Sequence, residues 1–149
     1  MAVRIDRPSA GPSWLESVLA SADRILTRLS REKVGRLRRD FGFADAGQIL
    51  SLGALPANAV IDKSSSGVFV HEAFNAGTDN RLDIGTAADP DFYAADVPLT
   101  ALGFVAIGAA GISLRPSETQ ATELTCSVDL SGTAATAGRG SVIVAYMLL

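Results

Sequence analysis

The residues able to do chemistry are few and poorly grouped. Histidine occurs once, at His71, inside the alternating run Val68-Phe69-Val70-His71-Glu72. A zinc site or a nucleophile–base pair needs further participants, and neither a second histidine nor a cysteine lies close by in sequence. His71 therefore reads as a partly buried structural histidine, and the alternation leaves open which face of its strand it occupies. The single cysteine, Cys126, cannot close an internal disulfide and reads as a small apolar residue buried in a strand.

Five carboxylates, Asp79, Asp83, Asp89, Asp91 and Asp96, fall close together. Calcium takes about six to eight oxygens, but this spacing does not match the calcium-binding loop of an EF-hand. A glycosidase pair needs two carboxyls about 5–10 Å apart, which no sequence can display, and no cleft signal accompanies these acids. They read as solvated loop residues. Gly138-Arg139-Gly140-Ser141 lacks the lysine of a phosphate loop and precedes a strand. Ser64-Ser65-Ser66-Gly67 does not form a nucleophile elbow. No catalytic residue, metal or cofactor is expected, and the chain reads as a non-enzyme.

The one polar cluster above background is basic. Arg24, Arg28, Arg31, Lys33, Arg36, Arg38 and Arg39 follow one another within sixteen residues, and Arg24, Arg28 and Arg31 recur at steps of four and three. Such a stretch is suited to an acidic protein partner or to a solvated face. Phosphate contacts are conceivable, since several cations release counterions together. Phe41 and Phe43 follow the cluster and read as strand core rather than as stacking platforms, which disfavours nucleic acid. The whole chain of 149 residues has a net charge of −3, but the sign is divided. Residues 1–40 carry +4 and residues 41–149 carry −7, a basic arm on an acidic body.

These groups must be positioned by one domain and an appendage. Residues 1–12, with Pro8, Gly11 and Pro12, read as an extended leader. The opening Met1-Ala2-Val3-Arg4-Ile5-Asp6-Arg7 is not expected to be a secretory signal, because charges interrupt it. No apolar run approaches the roughly 18–20 residues that a transmembrane helix needs, so no membrane partner is expected. Ser13 and Glu16 form a capping box, and the spacing predicts a helix from about residue 14 to 31. Leu15, Val18, Ala22, Ile25 and Leu29 form its stripe, widened by Trp14, Leu19 and Leu26. The stripe either packs on the body or self-associates as a short coiled coil, a trimer in the second case.

Beyond residue 33 the texture becomes β, so the chain divides into an arm, 1–32, and a β-sandwich, 33–149. Expected strands are Val34–Phe43, Gln48–Leu52, Val60–Ile61 continuing through Gly67–Ala73, Arg81–Ile84, Val97–Leu99, Phe104–Ile107, Ile112–Arg115, Ala121–Leu130 and Gly140–Leu148. Ser141 to Leu149 is apolar on both faces and reads as a central strand. Without βαβ alternation, the expected class is mainly β. It is an antiparallel β-sandwich of jelly-roll type, about eight strands, with an N-terminal α-helix and extended leader. Apolar residues reach 48% and mean hydropathy +0.26, which hints at surface that a partner covers.

Several segments resemble a family of tailed-phage virion proteins with a jelly-roll or β-sandwich body. They are Phe41-Gly42-Phe43-Ala44-Asp45, Leu52 to Ile61 (LGALPANAVI), Glu72 to Thr78 (EAFNAGT), Leu82 to Asp91 (LDIGTAADPD) and the closing hairpin from Thr136 to Tyr146. The resemblance covers about two-thirds of the chain and rests on turns and strand edges. It implies a capsid decoration or cement protein, commonly a homotrimer, located in the virion and assembled in the cytoplasm of the host bacterium. The implied partner is the major capsid protein or another virion protein. The helix and leader fall outside the resemblance. A competing expectation is a tail, fibre or head-tail component acting as a receptor- or carbohydrate-binding module, which would expose Phe92 and Tyr93 on a loop.

Overall fold

A computed structural model of the chain describes residues 13–29, 34–110 and 120–148, with the side chains of 25–29 and 109–110 left aside. Two compact units emerge, Met1–Glu32 and Lys33–Leu149. In the first, helix α1 runs from Ser13 to Leu29. It contains no glycine or proline, and Glu16 lies in the first turn, where a negative charge meets the positive end of the helix dipole. Every residue from Ser13 to Arg24 is exposed.

The second unit is a sandwich of two antiparallel sheets. Its strands are β1 (Val34–Gly42), β2 (Ile49–Leu55), β3 (Ala59–Ile61), β4 (Gly67–Glu72), β5 (Asn80–Gly85), β6 (Ala94–Pro98), β7 (Gly103–Ala106), β8 (Thr122–Leu130) and β9 (Arg139–Leu148). One sheet has the order β1-β9-β4-β7, with β3 also on β9, and the other has the order β2-β8-β5-β6. β1 lines one side of β9 along its whole length, so β3 and β4 share the other side. They act as one strand interrupted by a 3-10 turn at Lys63–Ser65. Counted so, eight strands switch sheet at every connection except the β5–β6 hairpin, which is the order of a jelly roll, the type expected from the sequence.

Ser66 holds that interruption together. Its hydroxyl donates to the Asp62 carbonyl at 2.7 Å and accepts from the Ala145 N–H at 2.9 Å, while the residue is fully buried. Ser66→Ala removes both bonds and leaves the Ala145 N–H unpaired in the interior, which costs about 1–3 kcal/mol. We expect urea denaturation to show this loss with an unchanged m-value. A loss below a few tenths of a kcal/mol would mean that water replaces the hydroxyl.

The core lies between the sheets. Leu55, Ile61, Val68, Val70, Leu82, Ile84, Val97, Leu99, Leu124, Val128, Val142 and Val144 are all buried there. Cys126 joins them, as expected, and Phe41 stacks on Phe74 with ring centres 5.5 Å apart. Phe43, expected in a strand core, instead sits exposed in a 3-10 turn after Gly42. The loop after β4 and the connection from β8 to β9 are pinned to each other by Gly77–Thr133 and Thr78–Ser131 backbone bonds, each 2.9 Å long. Expected as a hairpin, that connection instead crosses from one sheet to the other. The expected strand Ile112–Arg115 lies outside the described residues, as do residues 1–12.

Candidate docking surface

The two outer faces of the sandwich differ in chemistry. On the β2-β8-β5-β6 sheet, register sets Arg81 opposite Asp129 and Asp83 opposite Ser127, which is also paired with Ile49. Arg81 bridges Asp79 at 3.1 Å and Asp96 at 2.9 Å, and these carboxylates hold its guanidinium even more firmly protonated than usual. Burial pushes the Asp83 carboxyl above its ordinary value, although it accepts the Asp96 N–H at 2.7 Å. Asp89 is also raised, chiefly by a hydrogen bond with the Asp91 carboxyl. The acids read in sequence as solvated therefore form one ion-pair network and one carboxyl pair. Among the described residues, no three metal-ligating side chains converge.

On the β1-β9-β4-β7 sheet, Asp40, Ser141, Phe69 and Phe104 stand in a row across four strands. The next row runs Arg38, Ile143, Gly67 and Ala106. Arg36 pairs with Ala145, and Val34 pairs with Met147, which faces Val60 on β3. Phe69 is 39% exposed, Phe104 46%, Met147 41% and Val34 72%. The Phe104 ring lies over Gly67, where a Cβ would come within 2.6 Å of it and collide with the Val105 carbonyl. Glycine there lets the aromatic ring lie flat on the sheet.

Beside the aromatics is a concavity of ≈ 270 Å³ lined by Arg38, Asp40, His71, Arg139, Gly140 and Ser141. Asp40 Oδ1 accepts from Arg38 at 3.0 Å and from the Ser141 hydroxyl at 2.6 Å. Those bonds hold the Asp40 carboxyl below its usual value, the serine contributing most. His71 Nε2 meets Ser141 Oγ at 2.9 Å, and its ring leans on Phe69 at 4.8 Å.

Histidine, serine and aspartate thus meet, but in the order Asp–Ser–His. A nucleophilic serine must give its proton to the histidine, whereas Ser141 gives it to Asp40 and is 2% exposed. His71 itself is exposed, not partly buried. Two residues after Phe69 it follows that ring onto the outer face by plain alternation, and the register shift between Val70 and Glu72 comes only beside it.

The residues singled out in the sequence are dispersed. Leu15, Val18 and Ala22 of the helical stripe are exposed, with Ile25 and Leu29 further along α1. Arg24 and Arg28 lie on α1, whereas Arg31 and Lys33 lie outside the described residues. Arg36 and Arg38 stand on the outer face of β1, while Arg39 falls on the opposite side by alternation. Sequence reasoning missed Phe69, Phe104, Arg139, Asp40 and Ser141 as surface partners. Their only signal was the alternation within each strand. The carbohydrate-binding expectation loses its support, since Tyr93 is 4% exposed and Phe92 packs edge-on against it at 4.9 Å.

No family model and no curated protein matches the chain. Among solved structures, a chain of the cyanophage Pam1 capsid asymmetric unit is similar, with a TM-score of 0.51 and 19% identity. The match covers 78% of this chain and 84% of that one, so what the two have in common is the β-sandwich fold.

Proposed function

We propose that this chain is a non-enzymatic virion structural protein that decorates a phage capsid as a homotrimer, docking on the major capsid protein or another virion protein. The observation that carries the reading is the jelly-roll body, shared over most of both chains with a component of the cyanophage Pam1 capsid. Its physical support is an unequal surface. The core of the body is drawn from its own strands, yet large apolar side chains remain exposed, most of them on the β1-β9-β4-β7 face and on α1, with Ile49 and Leu102 elsewhere. Burying them against partners adds interface without chemistry.

In this reading the stripe Leu15, Val18, Ala22, Ile25 and Leu29 joins three copies. Leu15, Ala22 and Leu29 take the first seam position and the branched Val18 and Ile25 the second, and leucine with a branched partner favours assemblies larger than a dimer. The test is the mass of the full-length protein in solution, expected at three times the 15.4 kDa of one chain. Leu15→Asp with Val18→Asp should return a folded monomer, because two charges then face each other across every seam. A wild-type monomer at high concentration would remove the trimer. Absence of the chain from purified particles of the phage encoding it would remove the virion role.

A further inference from the structure

We infer that the outer face of the β1-β9-β4-β7 sheet is the surface with which the body grips an acidic patch of a different protein. This deepens the reading as a decoration protein, and rests on it. Phe69 and Phe104 supply two adjacent, partly exposed rings, and Ile143, Met147 and Val34 extend the apolar area. Arg36, Arg38 and Arg139 surround them, opposed by Asp40 and Glu72. Aromatic, methionine and arginine side chains are what protein interfaces concentrate.

The arginines are not equally available. Arg38 is engaged by Asp40, but Arg36 and Arg139 make no ion pair with any described residue. A partner carboxylate finds those two guanidiniums uncommitted, with His71 beside Arg139. The Asp40 bonds also fix Arg38 and Ser141, so part of the surface is ordered before contact. That spares some of the side-chain entropy that docking otherwise costs.

Two other occupants fit less well. Nucleic acid would call for a strongly cationic face, and here two carboxylates sit among three arginines. A second copy could offer its acidic outer face, with Asp83, Asp96, Glu123 and Asp129 against Arg81. The two outer faces point in opposite directions, however, so joining them copy to copy builds an open column rather than a closed oligomer.

Strands about 4.8 Å apart and some 20–30 Å long give a face on the order of 500 Å², below the roughly 800 Å² per partner of a standard interface. A single body should therefore bind weakly, and retention on a particle should depend on several copies engaging at once.

The experiment uses full-length protein and particles made by the same phage with the gene for this chain deleted. Arg36→Glu with Arg139→Glu leaves the Arg38–Asp40–Ser141–His71 cluster intact, and Asp129→Lys reverses a charge on the other face. We expect cosedimentation with the particles to fall at least tenfold for the arginine variant, with unchanged circular dichroism, and to stay at the wild-type level for Asp129→Lys. Wild-type binding by the arginine variant would overturn the inference and leave the decoration role standing. Loss with Asp129→Lys alone would do the same. Wild-type protein that leaves the particles bare would take down both. Binding of an oligonucleotide through Arg36 and Arg139, or a self-assembled column dissolved by the arginine variant, would replace the acidic protein partner with that occupant.

Discussion

Leu82→Ala should lower the stability of the body by about 2–5 kcal/mol, the range for emptying a fully buried leucine site. Leu82 lies on β5, an inner strand of its sheet, paired with Val128 on one side and Val97 on the other. Its side chain is 0% exposed and faces the opposing sheet. Close packing on both sides lets the site collapse little, so the lost transfer energy is joined by a cavity term. At about 2–4 °C per kcal/mol for a chain of this length, the midpoint of thermal unfolding should fall by roughly 5–15 °C. Val34→Ala removes apolar atoms that are mostly in water already, and should change stability by no more than about 0.5 kcal/mol. Equal effects from the two variants would mean that the core does not lie between the sheets as described.

That contrast marks what could be read from the sequence. Val68 and Val70 point inward and Phe69 outward because a strand alternates, and the residue types announced the alternation. β9 was legible as a central strand for a related reason. It has β1 on one side and β3 with β4 on the other, and from Val142 to Leu148 its residues are apolar on both faces. Even the break at Lys63–Ser65 left the run from Val60 onward readable as one strand, because both pieces follow the same edge.

The surface site was not legible, and the cause is distance along the chain. Ser141 lies 70 residues from His71 and 101 from Asp40. Nothing local specifies that these three meet, since their neighbourhood follows from which strands pair and in which register. His71 was misjudged because its strand could be read as alternating without showing which set of residues faced out, and the outer set, Phe69 and His71, lies open. Phe43 was misjudged because β1 ends at Gly42, one residue earlier than its apolar pattern suggests. The acids were read one at a time, whereas the fold gathers Asp79 and Asp96 on a single guanidinium.

Cys126 should resist thiol reagents in the folded protein by about a thousandfold or more relative to the unfolded chain. It sits on β8 between Leu50 of β2 and Ile84 of β5, 1% exposed, and burial pushes its thiol from 9.0 up to about 12. Arg39 pulls the other way and Asp45 adds slightly to the rise, but desolvation is the larger effect. The reactive species is the thiolate, and three pKa units cut its population about a thousandfold near neutral pH before access is considered. Labelling with an aromatic disulfide at about pH 8, with and without guanidinium, measures the ratio. Rates within tenfold of each other would mean that the sandwich opens at β8 far more often than its packing implies. The same shift fixes a sign for alkaline stability. Between about pH 9 and 12 the folded thiol keeps a proton that the unfolded chain has lost, so stability falls as pH rises through that window. Cys126→Ala should remove that part of the decline while costing some packing at neutral pH. A wild-type protein whose alkaline loss is unchanged by the substitution would place the titrating group elsewhere, with the raised Tyr93 hydroxyl as the next candidate.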